Sequence, residues 1–232
     1  MKRIFVGLIS LLTVIVCCFL LTRITYETHF VSVGTENKGL YFIVDAGHGG
    51  MDGGTSAADG TMEKDINLSI SRKLNSLLIA SGYKTVMLRN DDALIGDNSL
   101  STIRARKVSD IRKRLEIAES YPESILISIH QNYYSVPKYS GTQVFYSTNS
   151  PKSIILAQSI QDSVVNKLQP DNNRKIKPIG SNIYLLYNCT IPAVMVECGF
   201  LSNKNEAEML KTDSYQTQMA LSIMQGILDY LE

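Results

Sequence analysis

The chain has 232 residues, of which 44% are hydrophobic and 19% charged, and its formal net charge is +1. That length suits one globular domain with a sizeable core. The near-balanced charge excludes bulk electrostatic attraction as a route to nucleic acid or to an acidic partner, so no nucleic-acid role is expected.

Met1-Lys2-Arg3 precedes an apolar run, Ile4 to Leu21, interrupted by Gly7, Ser10 and Thr13. Its 18 residues lie near the lower limit for a helix crossing about 30 Å of hydrocarbon. Lys2 and Arg3 favour a cytoplasmic N-terminus. A cleaved signal segment would carry a shorter apolar stretch and a small-x-small site; the exit Phe19-Leu20-Leu21-Thr22-Arg23-Ile24-Thr25 has none. We therefore expect an N-terminal hydrophobic helix at 1–22 that anchors the chain in the cell membrane through residues 4–21, with the rest outside the cytoplasm. Bulky Val16 before Cys17-Cys18 argues against lipid attachment. Residues 23–39 are polar and mixed and read as a linker, with His29 solvated in it.

The folded part is expected over 40–232. Leu40 to Ala46 is a short apolar run that reads as a buried strand, and the glycine-rich stretch Gly47 to Gly60 as a loop. Thr61 is the expected N-cap of a helix whose Ile66, Ile70, Leu74, Leu77 and Leu78 recur at helical spacing, closed by Gly82. Thr85 to Leu88 follows as a strand. Ser101 to Ser120 reads as a helix carrying Arg104, Arg106, Lys107, Arg112, Lys113 and Arg114, a face expected to be solvated. Further expected elements are strands at Ser124 to His130 and Gly141 to Ser147, a helix at Pro151 to Leu168, a buried strand at Ala193 to Cys198, and one or two closing helices over Asn203 to Leu231. This alternation predicts an α/β fold: a single domain with a parallel sheet and helices on both faces. An extracytoplasmic site permits a disulfide between Cys189 and Cys198, but their apolar surroundings favour buried free thiols.

Three side chains suggest chemistry. His48 lies just past the first strand, Glu63 in the first turn of the next helix, and His130 at the end of another strand. Sites in open α/β sheets gather at the carboxyl ends of the strands, so the three converge through the fold. Two imidazoles and a carboxylate make a three-ligand set of the kind that leaves a catalytic zinc ion one open position. Other readings stand beside this one. Glu63 also suits a helix dipole, His130 a satisfied core position, and Asp45 and Asp52 are competing carboxylates. Glu197 is less ordinary, because an unpaired charge in the apolar run Ala193 to Cys198 is costly. It is either a salt-bridge partner or a general base beside a metal-activated water.

The stretches Ile43-Val44-Asp45-Ala46-Gly47-His48-Gly49-Gly50, Glu63-Lys64, Ser128-Ile129-His130 and Pro192 to Asn203 together resemble the zinc-dependent N-acetylmuramoyl-L-alanine amidases of the amidase-3 type, from about Leu40 to the C-terminus. Arg89 with Asp92, and Arg114 with Ala118, resemble the family between its second and third motifs. The resemblance implies a mixed, mostly parallel sheet flanked by helices, with one Zn²⁺ held by His48, Glu63 and His130 and Glu197 as the catalytic glutamate. It also implies peptidoglycan as substrate, cleaved at the amide between N-acetylmuramic acid and the L-alanine of the stem peptide. A bare catalytic domain behind a hydrophobic segment is similar to the spore-cortex amidases of endospore formers. That narrower likeness implies a place in muramic-δ-lactam formation and germination, facing the intermembrane cortex space. Nothing in the residues identifies an accessory sporulation protein. The chain departs from the family at Gln131-Asn132-Tyr133-Tyr134, where small residues flank the asparagine, and at Met51-Asp52-Gly53-Gly54, where proline commonly precedes the last glycine. Two alternatives remain: a non-catalytic, membrane-tethered peptidoglycan-binding protein on the same scaffold, and a Cys198 nucleophile paired with a histidine.

Overall fold

The computed structural model describes residues 39–121 and 123–232. The expected anchor, His29 and the expected linker up to residue 38 lie outside the described residues. Among the described residues no helix is long and apolar enough to cross a membrane.

The elements run β1 (Tyr41–Ala46), α1 (Glu63–Ala80), β2 (Lys84–Met87), α2 (Ile103–Glu119), β3 (Ser124–Asn132), β4 (Gln143–Tyr146), α3 (Lys152–Lys167), β5 (Lys177–Pro178), α4 (Tyr184–Asn188), β6 (Ala193–Phe200), α5 (Lys204–Leu210) and α6 (Asp213–Leu231). The six strands form one sheet in the order β2-β1-β3-β6-β4-β5. All neighbours are parallel except β4 and β6, which pair antiparallel. The sheet is thus mixed and mostly parallel, as expected.

Side-chain alternation along the strands divides the core. On one face Phe42, Val44, Ile127, Ile129, Val194 and Val196 pack with α1, α3 and α6. On the other, Ile43, Leu126, Ala193 and Met195 pack with α2 and α4. Ile66, Ile70, Leu74 and Leu78 of α1 recur every four residues and are at most 2% exposed. Burying each such side chain contributes about 1.5–3 kcal/mol, which fixes the start of α1 against the end of β1.

Several boundaries differ from the sequence reading. Met62, not Thr61, precedes α1, and it caps with no side-chain hydrogen bond. The Thr61 carbonyl instead accepts from the Ala57 amide across a tight loop. β2 begins one residue earlier than expected. His130 does not end its strand: β3 continues to Asn132, with a register irregularity after His130. The short elements β5 and α4 were not expected. Cys189 and Cys198 are free and buried, and they sit in the two different core layers, on opposite faces of the sheet. No disulfide joins them.

Candidate metal centre

After β1 the backbone turns through Gly47-His48-Gly49-Gly50. His48 has φ +63°, the one non-glycine residue with positive φ among the described residues. Left-handed backbone costs such a residue about 1–2 kcal/mol, so the surroundings must hold it. Two buried arginines do. Arg114 of α2, 1% exposed, donates from Nη1 to the Ala46 carbonyl at 2.8 Å and from Nη2 to the His48 carbonyl at 2.7 Å. Arg89 donates from Nε to the Ala46 carbonyl at 2.7 Å and from Nη2 to the Gly47 carbonyl at 3.0 Å. Arg114 is itself paired with Asp45 and Asp110, and Ser128 Oγ donates to Asp45 Oδ2 at 2.6 Å. Burial disfavours the Asp45 carboxylate, yet the adjacent guanidinium holds its pKa below the ordinary value.

This turn brings the three predicted residues together. Glu63 Oε1 lies 3.2 Å from His48 Nε2 and 2.9 Å from His130 Nδ1. One ligand atom from each of the three falls within 4.8 Å of the others, a group that could hold a metal ion. Burial opposes the charge on Glu63, but hydrogen bonds from His130 and His48 keep its carboxyl well below the usual range. Glu63 is also fastened by the protein: Oε2 accepts from the Thr55 amide at 2.9 Å, and Oε1 from the Gln131 amide at 3.1 Å and Asn67 Nδ2 at 3.3 Å. Of the competing carboxylates, Asp45 is turned to Arg114 and Ser128. Asp52 stands behind His48, with Oδ2 2.9 Å from Nδ1.

Glu197 stands directly across from His130 in the parallel β3–β6 register and from Gln143 in β4. Directly opposed residues share a face of the sheet, so Glu197 shares the face of His130. Its Oε2 atom is buried, and among the described residues it has neither a hydrogen-bond partner nor a salt bridge. Burial pushes its pKa up to about 7. An orphaned carboxylate oxygen facing two imidazoles and a second carboxylate is the arrangement a hydrolytic metal site requires, since a bound cation and water would complete it.

The residues fit a known family, and the comparison agrees over nearly the whole described domain: the family described as N-acetylmuramoyl-L-alanine amidase (Amidase_3) matches residues 42–229. The chain belongs to this amidase family. It is 35% identical over 193 residues to the germination-specific N-acetylmuramoyl-L-alanine amidase of Bacillus subtilis (strain 168), covering 83% of this chain and 80% of that one. It is similar to the CwlD amidase from Clostridioides difficile, solved in complex with the GerS lipoprotein, with a TM-score of 0.79 and 38% identity over 82% of this chain and 98% of that one. An N-acetylmuramoyl-L-alanine amidase from Clostridium difficile 630 gives a TM-score of 0.72 and 29% identity, with 84% and 98% covered.

In this amidase a cavity of about 640 Å³ opens beside the cluster. His48, His130, Ser128 and Met195 lie along its sheet side. Ile103, Arg104, Lys107, Val108 and Ile111 of α2, with Ile183, Tyr184 and Leu185 around α4, line its outer walls. The unexpected helix α4 therefore has a role, as a wall of the cleft. The departure after His130 also gains an explanation. Gln131 is buried, and its Nε2 donates to Asn67 Oδ1 at 3.1 Å, so the longer amide buttresses a residue that holds Glu63. Tyr133 and Tyr134 project into solvent. Cys198 is fully buried in the opposite core layer, where burial raises its thiol pKa, so this thiol is no exposed nucleophile.

Two predictions arise from this geometry. A Cβ added at Gly47 would lie 2.2 Å from His130 Nε2, so Gly47→Ala must displace the ring. It is expected to weaken metal binding roughly 10–100-fold, read by chelator competition; unchanged affinity would contradict the packing. The second concerns pH. Burial works against protonation of His48, but hydrogen bonds to Asp52 and Glu63 prevail and raise its pKa from 6.5 to about 9. The stability this lends is complete below 6.5 and lost as pH rises through 9. The Glu197 pKa is raised from 4.5, so its ionisation costs stability as pH climbs towards 7. Both groups bind more protons when folded, so the metal-free protein should lose thermal stability steadily between about pH 5 and 9. A midpoint that rises across that interval in scanning calorimetry would refute the sign.

Proposed function

We propose that this chain is a zinc-dependent amidase that separates the stem peptide from the glycan of peptidoglycan, with His48, Glu63 and His130 as metal ligands and Glu197 as general base. The observation that carries the reading is Glu197: a buried, unpartnered carboxylate placed in register with His130. Two imidazole nitrogens and one carboxylate oxygen match the donor preference of zinc. When bound, zinc supplies Lewis-acid polarisation of the scissile carbonyl and makes water a better nucleophile near neutral pH. The residues do the rest. Glu197 takes a proton from the attacking water and returns it to the departing amine of L-alanine. Arg114 and Arg89 hold the His48 turn, and α2 and α4 wall the cleft.

The finer reading rests on the family relatives and the N-terminal residues. Likeness to the germination-specific amidase and to CwlD supports a role in germination, and we propose that the chain acts in the spore cortex, ahead of muramic-δ-lactam formation. CwlD is held in a complex with a lipoprotein, and we propose an accessory partner of that class here. The apolar run at 4–21 supports a membrane tether and an extracytoplasmic site.

The test is to incubate the purified protein and zinc with peptidoglycan and resolve the products. Release of stem peptides with free L-alanine amino termini is expected. Binding to peptidoglycan without turnover would favour the wall-binding alternative. For the cortex, spores lacking the gene are expected to contain no muramic-δ-lactam; spores with normal lactam content would exclude that role.

A further inference from the structure

Asp52 is not needed as a ligand, yet it is built into the site with care. The tight turn from Gly49 to Asp52 is closed by two reciprocal backbone hydrogen bonds, each 2.9 Å, and it folds the Asp52 side chain back beneath the His48 ring. Oδ2 meets His48 Nδ1 at 2.9 Å. Oδ1 meets Lys107 Nζ at 2.6 Å and accepts from the Gly54 amide at 3.3 Å. The other ring nitrogen, Nε2, faces Glu63 Oε1. Lys107 comes from α2, so the chain from ammonium to carboxylate to imidazole joins the wall of the cleft to the cluster.

We propose that Asp52, backed by Lys107, is the positioning residue of the metal centre. It fixes the proton on Nδ1, so that when a cation displaces the proton Nε2 shares with Glu63 the Nε2 lone pair is aimed at the space shared with Glu63 and His130. This inference rests on His48 being a ligand. The physical reason is that a neutral imidazole has one donor and one acceptor nitrogen, and which is which follows from the partner of the other nitrogen. A carboxylate at Nδ1 admits only the protonated form there. It also raises the basicity of Nε2 and removes the rotational freedom of the ring, both of which favour cation binding. Lys107 matters because it offsets the charge of Asp52 and fixes the carboxylate plane.

The experiment uses the full chain in detergent, with zinc affinity measured by chelator competition and the His48 tautomer read from ¹⁵N chemical shifts of the metal-free protein in alkaline solution, where the ring is neutral. Asp52→Ala is expected to weaken zinc binding about 10–100-fold and to shift His48 away from the Nδ1-protonated form. Asp52→Asn, which keeps the shape and one acceptor oxygen, should fall between Asp52→Ala and wild type, and Lys107→Met should weaken binding by a smaller factor. The conservative variants and Lys107→Met carry the test should Asp52→Ala fail to fold. If His48→Ala loses zinc while Asp52→Ala and Lys107→Met bind at wild-type affinity with an unchanged tautomer, the positioning role is overturned and the ligand reading stands. If His48→Ala binds zinc as well as wild type, the ligand reading itself falls.

Discussion

Glu197→Gln is expected to lower kcat for amide hydrolysis roughly 100- to 10,000-fold while zinc binding stays at its wild-type level. Glutamine preserves the shape of the side chain and its place opposite His130, but it cannot accept the proton of the attacking water. The structure also predicts what happens to the fold. Glu197 has a buried, unpaired oxygen and a pKa raised by burial, so a neutral amide relieves a charge that the folded state carries at a loss. The variant should therefore be as stable as the parent or more so in thermal unfolding without metal. Loss of activity with equal or greater stability separates a chemical role from a structural one. Turnover within tenfold of wild type would sink the general-base assignment.

Arg114→Met is expected to cost about 3–5 kcal/mol in denaturant unfolding, the largest stability effect of any single polar substitution considered. Removing the guanidinium leaves Asp45 ionised, buried and without its main countercharge, and frees the His48 carbonyl that Arg114 holds. Arg114→Lys should recover little, because a single ammonium cannot reach Asp45, Asp110 and two carbonyls from one planar fork. Arg104→Met, three turns earlier on the exposed side of α2, is the control. Surface positions of this kind change stability by no more than about 0.5 kcal/mol. Equal midpoints for the Arg114 and Arg104 variants would show that the buried network contributes nothing.

The contrast between these two arginines marks what could be read without the structure. Both sit in a helix of scattered cations, and periodicity cannot tell a buried Arg114 from an exposed Arg104, because burial depends on a carboxylate, Asp45, that is 69 residues away. Glu197 was legible for the opposite reason: a lone charge in an apolar strand is anomalous within its own eight residues. His48 and His130 were legible through the glycines and the strand runs beside them. Asp52 was visible only as a rival carboxylate, since the role proposed for it depends on a turn whose closure is a matter of backbone geometry. The short α4 and the two-residue β5 carry too few residues for a periodic signal.

The position of β6 has a consequence for how the protein comes into being. β6 lies between β3 and β4, both of which are synthesised before it. Until it emerges from the ribosome, β3 offers an unpaired edge and the main core lacks Val194, Val196 and Cys198. Such edges template intermolecular pairing, and parallel strands distant in sequence close slowly. The strand that completes the sheet is also the one that carries Glu197. Glu197 and the closure of the sheet therefore arrive together, so a chain that stops short of β6 is expected to be unable to digest the wall. A product that stops before Ala193 is expected to be inactive and to collect in the insoluble fraction, where sedimentation of the nascent fragment would reveal it.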